Sequence, residues 1–194
     1  MTTTVAQTKT ANPFVTPDVE KNAVVITRAN LISGLMEQKG SKFITIVTET
    51  EPRMRKTGNP FVGATKVSRV NGRINANYDN NVLARLAKEG KDASEFTRGE
   101  SWHEAITRAD GSMTPFCAHK KTGAIYLRFV LENAIDSHYF DATGVEIDKA
   151  AINPFLYESN YSNQGLGDNP VMFLVYSMES VKALTIDGMT YLVR

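Results

Sequence analysis

No acidic residue lies between Glu51 and Asp79, although the chain holds 21 of them in 194 residues. Arg53, Arg55, Lys56, Lys66, Arg69 and Arg73 all lie in this stretch, with no acid among them. Cysteine is almost as scarce. A lone Cys117 cannot close an internal disulfide, and with His103, His119 and His138 it falls short of the closely paired N and S ligands of a zinc site. Cys117 is expected as a buried thiol, and neither metal nor cofactor is expected. The longest apolar run, Val171-Met-Phe-Leu-Val-Tyr176, is far below the roughly 20 residues of a membrane helix. The Thr-rich start has neither a basic region nor an apolar one, so no secretory leader is expected and the cytoplasm is the expected location. Phosphate-binding glycine loops, nucleophile elbows and His-Glu-x-x-His helices are missing too. Glu104 beside His103 would need a third group to orient it, and catalysis is not expected.

What is present suits a globular protein. Hydrophobic residues make up 42% and charged ones 22%, and the length suits one domain with a sizeable core. The net charge of +1 hides an asymmetry. From Leu131 onward Glu132, Asp136, Asp141, Glu146, Asp148, Glu158, Asp168, Glu179 and Asp187 face only Lys149, Lys182 and Arg194. The bland account is that this acidic third lies against the basic segments and neutralises them.

Residues 1–22 are polar, with Pro13 and Pro17, and are expected as a flexible arm anchored at Phe14-Val15. Residues 23–194 are expected as one α+β domain. Its strands are Ala23–Ile26, Lys42–Thr48, Ala124–Leu131, Val171–Tyr176, Val181–Ile186 and Met189–Val193, with tight hairpins at Ala142-Thr143-Gly144 and Asp187-Gly188. Helices are expected from an Asn30 cap to Gly40, with Leu31, Ile32, Leu35 and Met36 buried, and from Val82 to Gly90. Lys91–Thr114 has weak periodicity and is expected as loop. Together these predict a largely antiparallel curved sheet or partly open barrel, an OB-like arrangement among the options, with two packed helices.

Asn71-Gly72, between the β-prone runs Thr65–Val70 and Arg73–Tyr78, predicts a third hairpin, because a type I′ turn needs positive φ at both central residues. Pairing Val70 with Arg73 would put Lys66, Ser68, Val70, Arg73 and Asn75 on one face. Val67, Arg69, Ile74 and Tyr78 would lie on the other. Asn-Pro-Phe occurs at Asn12, Asn59 and Asn153, where Asn-Pro starts a turn and the aromatic then anchors the chain.

A single strand of nucleic acid needs cations for its phosphates and aromatic faces for its bases. The candidate cations are Arg53, Arg55, Lys56, Lys66 and Arg73, continued by Lys120, Lys121 and Arg128. Candidate platforms are Trp102, Tyr126, Tyr78 and Phe61; Tyr126 and Arg128 alternate with the apolar face of their strand and should project together. The rival reading is a structural or host-interaction protein that meets a protein partner through the acidic third.

Thr48-Glu-Thr-Glu-Pro-Arg-Met-Arg-Lys-Thr-Gly-Asn-Pro-Phe-Val-Gly63, Thr65-Lys-Val-Ser-Arg-Val-Asn-Gly72 and the Asn-rich run to Asn81 resemble a family of small phage-encoded single-stranded DNA-binding proteins. The closing Ser180-Val-Lys-Ala-Leu-Thr-Ile-Asp-Gly-Met-Thr-Tyr191 is similar too, so the resemblance covers most of the chain after residue 28. It implies a sequence-tolerant, non-enzymatic phage protein, in phages with N4-like replication and transcription. Such a protein acts in replication, and in early or middle transcription, in the cytoplasm of the infected bacterial host. One small groove covers few nucleotides, so homo-oligomers that coat a strand cooperatively are expected, and the short apolar runs make no membrane association expected. The chain ends Tyr191-Leu-Val-Arg194, without the acidic tail many such proteins use to recruit partners, so tail-mediated recruitment is not expected.

Overall fold

The computed structural model describes residues 12–75, 88–90, 103–132, 135–157 and 173–194. Among them eleven strands form one sheet: β1 (Val24–Ile26), β2 (Ser41–Thr50), β3 (Thr65–Asn75), β4 (His103–Thr107), β5 (Met113–His119), β6 (Ile125–Leu131), β7 (Asp136–Phe140), β8 (Glu146–Ile147), β9 (Phe173–Ser177), β10 (Val181–Ile186) and β11 (Met189–Val193). Three α-helices accompany it, α1 (Pro17–Asn22), α2 (Arg28–Met36) and α3 (Lys149–Ile152). The order is β1-β11-β10-β2-β3-β6-β5-β4, with β7 also on β3, β8 on β7 and β9 on β6. Only β1 and β11 run parallel among these pairs. The fold is thus α+β and largely antiparallel, and its sheet does not close into a barrel among the described residues.

Alternation along the strands builds the core. Ile44 and Ile46 of β2, Val70 and Ile74 of β3, Leu184 of β10, Phe116 of β5 and Leu127 of β6 are all fully buried on one face. Leu31 and Leu35 of α2 cover them, each such side chain contributing about 1.5–3 kcal/mol. Thr27, rather than Asn30, caps α2: its hydroxyl oxygen accepts from the Asn30 N–H at 3.2 Å. On the opposite face Val47, Val67, Phe140, Ala183 and Leu192 are covered by Phe14, Val15 and Ala23. The segment expected as an arm therefore includes α1 and packs on the sheet from Asn12 onward. A third cluster joins Ala64, Tyr139, Ile147 and Ile152 to Met54, Phe61 and Leu156.

Two expectations are corrected. Asn71 and Gly72 are not turn residues: β3 runs unbroken from Thr65 to Asn75 and pairs with β2 from Lys66↔Thr50 to Asn75↔Ser41. Gly72 has no positive φ; it is buried between Ile44 of β2 and Leu131 of β6. A hairpin would have sent Val70 and Ile74 to opposite faces. The continuous strand puts both in the core opposite Ile46 and Lys42, and burial outweighs the local turn preference. The side chain of Val at position 72 would point into that core, so Gly72→Val is expected to cost about 1–3 kcal/mol by overpacking, read as a lower thermal midpoint. The second correction is Lys91–Thr114, of which the described part contains β4 and the start of β5. Asp187-Gly188, by contrast, forms the expected tight turn, with φ of 50° and 78° between Ile186 and Met189. Of the helix expected before Gly90 only Lys88–Gly90 is described, and Tyr78 and Trp102 fall outside the described residues.

Candidate nucleic-acid interface

The loop between β2 and β3 is fastened rather than free. The Arg55 N–H donates to the Phe155 carbonyl at 2.8 Å and the Tyr157 N–H to the Arg53 carbonyl at 2.9 Å, around a bridge between Met54 and Leu156. This is a short antiparallel ribbon, so side chains alternate between its two faces. Met54 and Leu156 turn into the third cluster; Arg53, Arg55 and Tyr157 are exposed, with Tyr157 at 55%. Two Asn-Pro-Phe sequences build the clamp. Asn59 Oδ1 accepts from the Phe61 N–H at 2.8 Å, Asn153–Phe155 is a 3-10 turn after α3, and the rings of Phe61 and Phe155 meet edge-on at 5.6 Å. Asn12 Oδ1 makes the same turn with Phe14 at 3.0 Å. Tyr157, missed by the sequence reading, becomes visible only once residues distant in sequence are paired.

The other candidate cations divide sharply. Arg73 is exposed but ion-paired with Glu132, and Arg69 with Asp136 at 3.4 Å. Arg28 meets Glu179 at 3.3 Å and Lys42 meets Asp187 at 2.9 Å. The acidic last third thus neutralises these four bases, each exposed pair contributing about 0–1 kcal/mol. Arg53, Arg55 and Lys56 appear in no ion pair among the described residues. Along the continuous β3, Lys66 and Arg73 lie on opposite faces, not on one as the hairpin required. Arg128 does not project with Tyr126 into solvent: it is 5% exposed, and its guanidinium donates to the Thr114 carbonyl at 3.3 Å.

Lys66 has an unusual setting. Its ammonium lies 5.9 Å from the Tyr139 ring centre, with no ion pair among the described residues, and burial holds its pKa below the usual lysine value. Between that lowered value and 10.5 the unfolded chain binds more protons than the folded one, so stability rises with pH through this window and is withheld below it. Lys66→Met is therefore expected to raise the thermal midpoint at neutral pH, with the gain shrinking as pH approaches 10.5; a scan of melting against pH reads both.

Lys120, Lys121 and Tyr126 sit elsewhere. Lys66 and Arg73 are seven residues apart on β3, about 23 Å at roughly 3.3 Å per residue, and β6 continues that direction from Val130 back to Tyr126. The two groups are on the order of 35 Å apart along the strands. Lys120 and Lys121 are exposed in the β5–β6 turn, beside His119. Cys117 is 3% exposed, as expected, and among the described residues no cluster of His, Cys, Asp and Glu could hold a metal. No described helix is long and apolar enough to cross a membrane. No protein-family model, curated protein or solved structure matches the chain.

Proposed function

We propose that the chain binds single-stranded nucleic acid, DNA in the first place, without sequence preference and without catalysis. The observation that carries this reading is the ribbon of Arg53, Arg55 and Tyr157 with Lys56 beside it: cations in no ion pair among the described residues, next to an exposed aromatic, on a backbone fastened by two hydrogen bonds. Cations bind any phosphate chain, but a ring can stack only on bases a duplex hides. Lys66 supports the reading, since a half-buried ammonium with no counter-ion among the described residues lowers stability and would be relieved by a phosphate. A role in phage replication, and in early or middle transcription in the infected cell's cytoplasm, rests on the sequence resemblance. Homo-oligomers fit the cooperative coating usual for such proteins.

Anisotropy titrations of labelled oligo-dT, duplex and RNA of equal length test this. Oligo-dT is expected to bind more tightly than duplex, and its affinity to fall steeply with salt as counterions are released. Equal affinity for duplex and single strand removes the stacking part. Absence of binding at low salt overturns the reading and favours a protein partner.

A further inference from the structure

We infer that the face of β4–β5–β6 opposite the main core carries a second single-strand contact, in which His103, His119 and Tyr126 receive a nucleobase and Lys120 and Lys121 its neighbouring phosphates. The inference rests on the nucleic-acid reading above and adds a separate site to it. His103 lies opposite His119 in the β4–β5 ladder, and Cys117 opposite Tyr126 in the β5–β6 ladder, so all four share one face. The ring of His103 meets Tyr126 edge-on at 4.7 Å and His119 at 5.6 Å. Leu127 and Phe116 pack into the main core on the opposite face, and His103, His119 and Tyr126 are not part of that cluster.

Its chemistry points to a base. His103 Nε2 is the one buried side-chain nitrogen or oxygen among the described residues that lacks a hydrogen-bond partner, and such a group needs a physical account. Burial, and then the neighbouring His119, holds the His103 pKa below the usual histidine value. A neutral imidazole among aromatic edges suits the edge and face of a base better than a phosphate. Phosphates are met beside it. His119 Nδ1 accepts the backbone N–H groups of Lys121 and Thr122, both at 3.2 Å, which fixes the turn that carries the two exposed lysines.

Two contacts on one chain give affinity a second step with length. The test titrates the full chain with oligo-dT from about 4 to about 30 nucleotides, bracketing the roughly 4–16 that one small fold covers. Parent, Tyr126→Leu and Lys120→Ala/Lys121→Ala are compared, and 5-iodouracil-substituted oligo-dT is cross-linked to the unaltered protein for peptide mapping. Short oligomers are expected to bind all three alike. On long ones Tyr126→Leu should lose roughly five- to hundredfold in affinity, and the lysine pair should lose salt dependence. Cross-links should map to His119 or Tyr126 as well as to the ribbon. An unchanged length dependence in a folded Tyr126→Leu, with cross-links at the ribbon alone, overturns the second contact and leaves single-strand binding standing. A parent that binds no oligomer at low salt removes both.

Discussion

Replacing Arg53, Arg55 and Lys56 together with Ala is expected to weaken oligo-dT binding about tenfold to a hundredfold at low salt while leaving the thermal midpoint nearly unchanged. The three side chains are exposed, and none is in an ion pair among the described residues, so the folded state depends little on them. What fastens the segment is backbone hydrogen bonding and the inward turn of Met54, both of which survive truncation at Cβ. If each cation meets one phosphate, three lost contacts should flatten the slope of log K against log salt by roughly 2.

Arg69→Ala is the internal contrast. Its guanidinium lies 4.9 Å from the Phe14 ring centre and pairs with Asp136, both at the surface. It should cost up to about 1 kcal/mol of stability and leave oligo-dT binding as it was. A triple variant that binds like the parent, with the parental salt slope, would show the basic loop to be solvated surface and turn attention to protein partners.

The two Asx-Gly pairs show how far sequence could lead. Asp187-Gly188 and Asn71-Gly72 are nearly equivalent as local turn chemistry. Only the first turns, because the runs beside it, Val181–Ile186 and Met189–Val193, bury the same residues when they pair with each other. Around Asn71-Gly72 the partners that matter, Ile44, Ile46 and Leu131, lie up to sixty residues away, and no window of sequence contains them. β1, β2, β6, β9, β10, β11, α2 and the antiparallel class were legible because each rests on its own alternation or stripe, whereas β3 was read as a hairpin and β4 and the start of β5 fell in a stretch expected as loop. The basic loop was legible as charge but not as structure. Its clamp joins Arg53 to Tyr157, which lie far apart in sequence, and the pairing of Arg73 with Glu132 depends on the neighbouring strand β6. A buried Arg128 was equally out of reach, since alternation gives its face but not what packs there.

Ile152→Ala is expected to damage stability and binding together. Ile152 is fully buried in α3, where it packs with Tyr139, Ile147 and Ala64 beneath Met54 and Leu156, the two inward residues of the ribbon. Truncating it removes three carbon atoms from a site that can collapse only by moving those neighbours, at a cost of about 2–5 kcal/mol. In a chain of this length that lowers the thermal midpoint by roughly 5–15 °C. The bridge between Met54 and Leu156 has two backbone hydrogen bonds and depends on the side chains beneath it. Oligo-dT affinity should therefore fall even in the cold, where the variant remains folded, although no charge has been removed. The salt slope should fall with it, toward that of the triple variant, because the cations are no longer held in register. Ile152→Val should recover most of both. Parental affinity and slope in a cold, folded Ile152→Ala would mean that Arg53 and Arg55 find phosphates without the clamp, leaving flexible attraction as the better account of the loop.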